Sequence, residues 1–108
     1  MSGVRRGDIY LVMLNPARGD EIRNLRPCLV VSPDELNGTL NTFIVAPMTT
    51  GGHAYPFRIA CEFRGTAGYI VLDQVRTVDR RRMARRLGRI PSDTLREVLE
   101  ALRMMFEH

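Results

Sequence analysis

Arg26 stands at the mouth of the stretch Leu25-Arg26-Pro27-Cys28-Leu29-Val30-Val31-Ser32-Pro33, where a guanidinium could act on an anion. Four apolar residues between prolines read as a buried strand, because proline can open a strand but cannot donate within its ladder. Pro27 biases the residue before it toward extended geometry and turns the arginine's fork away from the core. A planar cationic fork at a sheet rim suits phosphate, which it grips through two parallel hydrogen bonds. The position equally suits a rim arginine paired with a nearby carboxylate, and this stretch leaves both readings open. Residues 15–24, just before it, have no period and are dense in turn formers and charge. They form a long exposed loop that brings Glu21 and Arg23 toward the same rim. Further on, Asp79-Arg80-Arg81-Arg82-Met83-Ala84-Arg85-Arg86-Leu87-Gly88-Arg89-Ile90 holds six arginines, the strongest local positive field in the chain.

All 16 basic residues are arginine, against 12 acidic ones, for a net charge of +4. Arginine binds phosphates bidentately and stacks on bases, so nucleic acid outranks a merely solvated surface, although a GC-rich coding sequence would produce the same bias. A length of 108 residues with 44% hydrophobic and 26% charged composition fits one globular domain with a single core and no disulfide staples. Cys28 and Cys61 fall in expected strands and read as buried free thiols. With His53 and His108 they have no ligand spacing, so neither zinc nor another metal is expected. The absence of a leader pattern or of 18 consecutive apolar residues points to a soluble, cytoplasmic chain with no membrane contact.

The elements that position these residues follow from period and punctuation. After a short basic lead, residues 1–6, and Gly7-Asp8, the run Ile9-Tyr10-Leu11-Val12-Met13-Leu14 is apolar enough for a strand buried on both faces. Ser32-Pro33-Asp34-Glu35-Leu36-Asn37-Gly38 has an N-cap serine, an N1 proline, acidic first-turn residues and a closing Asn-Gly, as one short helical turn requires. Phe43-Ile44-Val45-Ala46-Pro47-Met48 is a third strand, with Pro47 ending its ladder or marking an edge. Thr49-Thr50-Gly51-Gly52-His53 is its flexible polar exit. Residues 55–63 and 69–74 supply two more strands around a glycine-containing hairpin at 64–68. The arginine-rich stretch reads as a helical turn followed by a last short strand through Ile90. Ser92 caps a helix whose Leu95, Val98, Leu99, Leu102, Met105 and Phe106 recur at three- and four-residue steps, a stripe for the core or else for a dimer contact. Five or six short strands with one terminal helix make a mainly β (α+β) fold, a small closed or half-open barrel.

Three stretches then stand out together: Gly19-Asp20-Glu21 with Arg26-Pro27, Pro47-Met48-Thr49-Thr50, and Asp73-Gln74-Val75-Arg76-Thr77. In that order and spacing they resemble the MazF/PemK/Kid family of toxin endoribonucleases, and the similarity runs from Arg6-Gly7-Asp8-Ile9-Tyr10 through Tyr55-Pro56-Phe57 to the terminal helix. The resemblance implies an SH3-like barrel, a homodimer, cleavage of single-stranded RNA without metal or cofactor, and inhibition by a cognate antitoxin whose acidic, disordered tail lies across the arginine-rich groove. It places the family's catalytic arginine on Arg26, its catalytic threonine on Thr49, a loop glutamate beside them on Glu21, and an Asp-Gln pair near the RNA on Asp73 and Gln74. Thr50 joins them, and Arg18, Arg23 and Arg76 become phosphate contacts. Where the Kid-like branch has a first-loop histidine and an arginine two residues before the aspartate, this chain has Asp20 and Val71, and so looks closer to the MazF branch.

Family-type cleavage uses the ribose 2′-hydroxyl as nucleophile, which selects RNA over DNA. A base must take its proton, a cationic group must hold the phosphorane, and an acid must protonate the leaving oxygen. Arg26 and Thr49 suit the second task, and Glu21 the first, since a guanidinium is a poor base near neutrality. Plainer roles compete: Thr49 and Thr50 could close a turn, Asp73 could pair with Arg76, and His53 could be a solvated loop residue. Two other functions compete as well, a gyrase-binding toxin of the same barrel, like CcdB, and a non-catalytic nucleic-acid-binding barrel. The latter would need exposed aromatics, and only 6% of the residues are aromatic.

Overall fold

Side-chain alternation along the first strand decides the architecture. In β1 (Asp8–Met13), Tyr10 and Val12, with Leu14 beyond it, turn to one cluster with Val30, Phe43, Val45 and Val78, while Ile9 turns to a second with Leu29, Ala46, Met48 and Ile70. The strand is buried on both faces, as its composition requires. The computed structural model describes residues 3–108; of the basic lead, Met1 and Ser2 lie outside the described residues. The remaining elements are β2 (Leu25–Val30), α1 (Asp34–Asn37), β3 (Thr42–Thr50), β4 (Arg58–Phe63), β5 (Thr66–Val71), β6 (Arg76–Asp79), β7 (Met83–Arg89) and α2 (Ser92–Met105). Single turns of 3-10 helix, Leu72–Gln74 and Arg80–Arg82, flank β6.

The strands form an antiparallel sheet in the order β4-β5-β3-β2-β1-β7, with β6 paired to β3. It curls into a half-open barrel whose ends are β4 and β7. The sheet has seven strands instead of five or six: the arginine-rich stretch supplies the expected helical turn and last strand, β7, and the additional strand is β6, just before it. Among the described residues β7 pairs with β1 alone, and its exposed Arg85, Arg86 and Arg89 charge a free edge, which discourages pairing with another chain. Asp8, 2% exposed, ties that edge to the chain's beginning: it accepts from the Arg5 amide at 2.9 Å and pairs with Arg86 at 3.3 Å and Arg89 at 3.2 Å.

β3 is longer than expected and continues through Pro47 to Thr50. One side pairs with β2, Pro47 lying opposite Cys28. The other side pairs with β6 from Thr42 to Val45 and with β5 from Met48 to Thr50. Proline has no amide hydrogen, so the change of partner falls where no ladder bond could be donated. Thr49 and Thr50, expected in a flexible exit, are strand residues opposite Tyr69 and Gly68. A Cβ on Gly68 would fall inside the Thr49 carbonyl, 2.7 Å from its carbon, so only glycine admits this close pairing.

Local expectations shift in four further places. The β4–β5 hairpin turns on Arg64 and Gly65 alone, both at positive φ, with Phe63 opposite Thr66. Ser32 does not cap α1: Pro33 occupies the cap position, and the Ser32 hydroxyl donates to Asn37 Oδ1 at 2.6 Å and accepts from the Ile44 amide at 3.1 Å. Ser92 is likewise the first residue of α2, after Pro91. α2 lays Leu95, Val98, Leu102 and Met105 on the second cluster, but Phe106, past its end, is 75% exposed.

Candidate active site

The loop between β1 and β2 is exposed in side chain but fixed in backbone. Leu14 N donates to Asn24 O at 2.9 Å, and Asn15 and Asn24 exchange two further bonds at its base. Its tip is a turn in which Glu21 N donates to Arg18 O at 3.0 Å and Arg18 N donates to a Glu21 carboxylate oxygen at 2.6 Å. From across the fold, Gln74 Oε1 accepts from the half-buried Ile22 amide at 2.7 Å and Gln74 Nε2 donates to Asp20 O at 3.2 Å. Arg76 donates to Leu14 O at 3.0 Å, and Arg82 donates to the carbonyls of Met13 and Asn15. A segment that looks structureless in sequence is thus held in one shape by polar groups from the far half of the chain.

That shape forms one wall of a groove of about 490 Å³ lined by Asp20, Glu21, Ile22, Arg23, Arg26, Thr49, Thr50, Gly52, His53, Arg58 and Tyr69. Arg26, half-buried at the entrance of β2, donates through Nε to Arg23 O at 3.1 Å. Among the described residues its guanidinium enters no ion pair and its two Nη groups make no hydrogen bond, so four N–H donors are left for a ligand. The reading of Arg26 as one half of a rim ion pair therefore falls. Arg26, Thr49 and Thr50 also line an adjoining, more apolar groove of about 330 Å³ with Leu11, Phe63 and Leu87. On the loop's other side Glu21 and Ile22 share a third groove, about 480 Å³, with Asp73, Gln74 and Arg76.

Apart from Arg18, the residues singled out in sequence thus divide between two neighbouring grooves that meet at Glu21. Arg18 is exposed at the loop tip, and Arg23 donates to Gly19 O at 2.9 Å. Asp73 pairs with Arg58 rather than with Arg76, through two bonds of 3.0 Å each. Those bonds hold the Asp73 carboxyl below the usual carboxylate range and raise Arg58. Arg58 also lies over the Tyr55 ring, 4.8 Å from its centre. Arg58 carried no weight in the sequence, yet like Arg26 it stands at the entrance of a strand and lines the same groove. His53, expected as a solvated loop residue, lines the same groove as Arg26 and Thr49. Burial pushes the Cys28 thiol up to about 12, which makes it an inert core residue. Among the described residues no three His, Cys, Asp or Glu side chains stand together as a metal site, and no helix is long and apolar enough to cross a membrane.

The sequence profile of the PemK-like, MazF-like toxins of type II toxin-antitoxin systems matches residues 5–106. The chain belongs to this family. Endoribonuclease PemK of Escherichia coli is 36% identical over 107 residues, covering 94% of this chain and 80% of the relative. Endoribonuclease MazF9 of Mycobacterium tuberculosis is 33% identical over 111 residues, covering 94% of each. The crystal structure of MazF from Deinococcus radiodurans superposes with a TM-score of 0.83 at 31% identity, over 94% of both chains. A MazE-MazF complex from the same organism superposes at 0.76 with 28% identity, covering 94% of this chain and 93% of that one. The toxin family's fold, a curled antiparallel sheet with a C-terminal helix, is the fold described above.

Proposed function

We propose that this chain is the toxin of a type II toxin-antitoxin pair and acts in the cytoplasm as an endoribonuclease that cuts single-stranded RNA at specific sites, stopping translation and growth. The observation that carries the reading is the groove in which Glu21, Arg26 and Thr49, from a loop and two strands, line one space with unengaged guanidinium donors. In the reaction the 2′-hydroxyl attacks its own phosphate, Arg26 and the Thr49 hydroxyl hold the phosphorane, and the Glu21 carboxylate accepts the 2′ proton. The products are a cyclic phosphate and a 5′-hydroxyl, and no metal ion or cofactor takes part. Arg18, Arg23 and Arg76 meet flanking phosphates, while Thr50, Asp73 and Gln74 border the RNA path. The protein works as a homodimer and is silenced by a MazE-like antitoxin; the Deinococcus complex supports the latter as a precedent on the same fold.

The test is to incubate the purified protein with a long single-stranded RNA in EDTA, beside Arg26→Ala, and to map the fragment ends. Site-specific cuts with 5′-hydroxyl ends, absent in the variant, are expected. Intact RNA with well-folded protein would sink the reading and bring the gyrase-binding alternative forward. The role of Glu21 fails separately if Glu21→Gln keeps full activity while Arg26→Lys abolishes it.

A further inference from the structure

Cleavage by a 2′-hydroxyl needs an acid as well as a base, because the departing 5′ oxygen must gain a proton. The groove is poor in groups able to give one near neutrality. The carboxylates of Asp20 and Glu21, from the β1–β2 loop, are of a type ordinarily ionised there, and the guanidinia of Arg23, Arg26 and Arg58 are of a type that keeps its protons. Tyr69, from β5, has a phenol whose ordinary titration lies near 10. Histidine is the side chain that ordinarily changes charge near 6.5, and His53 is the one histidine among the lining residues.

The backbone delivers it there. Gly51 N donates to Ala67 O at 3.0 Å at the end of the β3–β5 ladder, which anchors the exit of β3. Gly51 and Gly52 then take positive φ angles of 65° and 97°, a pair of turns that few side chains would permit. A Cβ on Gly52 would lie 4.0 Å from Thr49 Oγ1, so the main chain passes against the Thr49 hydroxyl immediately before His53. The imidazole is exposed and free to meet a substrate, and it comes from a different element than Glu21.

We propose that His53 is a catalytic residue, the general acid of the cleavage step. The assignment rests on the RNA-cleavage reading above. As the O2′–P bond forms, the 2′ proton passes to the Glu21 carboxylate; as the P–O5′ bond breaks, its electron pair goes to O5′, which takes the proton of the His53 imidazolium. Glu21 ends with one more proton and His53 with one fewer, and exchange with water resets both. Only an enzyme whose histidine is protonated can begin a turnover, so the rate falls toward alkaline pH in a way that depends on His53.

The experiment compares wild type, His53→Ala and His53→Asn on one short RNA containing a single cleavage site, made with the ordinary bridging 5′ oxygen or with sulfur in its place. A thiolate leaves without protonation. The expected result is a loss of about 10²-fold or more for both variants on the oxygen substrate, cutting of the sulfur substrate at the wild-type rate, and disappearance of the alkaline fall in the rate profile. Equal slowing on the two substrates would overturn the assignment and leave His53 a positioning residue, and unchanged rates on both would overturn it outright. Failure of the wild type to cut either substrate overturns the cleavage reading itself, whereas cutting of both by the wild type upholds that reading whatever the variants do.

Discussion

Gly68→Ala is the substitution that probes most directly whether the packing of two strands sets the position of Thr49. The added methyl would fall onto the Thr49 carbonyl oxygen and 2.7 Å from its carbon, a separation real Cβ atoms essentially never show, and 3.1 Å from Thr50 Cα. Its neighbours are backbone atoms of a ladder, with no flexible tip to swing aside, so β3 and β5 must part by more than about 1 Å. Overpacking of this kind costs about 1–3 kcal/mol of stability, and each kcal/mol lowers the melting temperature by about 4–8 °C in a domain of this size. A displacement of about 1 Å at a reacting group costs about 10²-fold in rate, or about 2.7 kcal/mol of barrier. Cleavage per folded molecule, measured well below the variant's melting temperature, is therefore expected to fall about a hundredfold. Gly38→Ala serves as the control: its φ is −82°, a Cβ there meets the Asp34 carbonyl at an ordinary 3.5 Å, and neither melting nor cleavage is expected to drop. A Gly68→Ala protein that melts and cuts like wild type would refute the reasoning. One that melts early but cuts normally per folded molecule would show that Thr49 need not be held by this ladder.

Gln74→Leu removes both bonds that Gln74 makes to the β1–β2 loop; hydrogen exchange at the Ile22 amide is expected to speed up and kcat/KM to fall about tenfold or more. Acidification tests the Arg58–Asp73 pair. Because its folded carboxyl titrates below the unfolded value of about 3.9, the pair stabilises above that value and loses its effect as pH falls through the folded one. The side chains are 26% and 45% exposed, so the stability gap between wild type and Asp73→Asn in urea titrations is expected to stay below about 1 kcal/mol at neutral pH and to close below about pH 4. Salt titrations of RNA binding are expected to lose about one unit of slope in Arg18→Ala and in Arg23→Ala without a change in melting. Arg76→Ala is expected to lose slope and also to melt earlier, because Arg76 holds the Leu14 carbonyl.

What could be read from the sequence was whatever a residue declares by its own type and its near neighbours. The apolar runs gave β1 and β2, the three- and four-residue spacing gave α2, and the resemblance named Arg26, Thr49 and Glu21, which the fold then set around one groove. β3 was cut short because Pro47 reads as an end, whereas it marks a change of partner on one side while β2 continues on the other. β7 was expected as the last short strand, whereas β6 was missed because Arg76-Thr77-Val78-Asp79 is too short, with Val78 its one buried side chain, to show a period. The order within the β1–β2 loop was illegible for a different reason. Its support comes from Gln74, 52 residues beyond Ile22, and no local pattern encodes a bond of that span. Arg58 escaped notice similarly, since its partner Asp73 lies 15 residues away beyond a hairpin.

The pairing of β1 with β7 bears on how the molecule comes into being. During synthesis β1 finds one neighbour early, in β2, but the other only when Met83–Arg89 has been made, and buried Asp8 waits for Arg86 and Arg89 before its charge is matched. Contacts so distant along the chain form late, since loop closure must precede the interactions that reward it. The loop bearing Glu21 waits as well, for Gln74 and Arg82. A nascent chain therefore holds all the chemistry of its N-terminal half in an unassembled state while it is still being translated. The groove around Glu21 takes its shape only once these distant partners are in place.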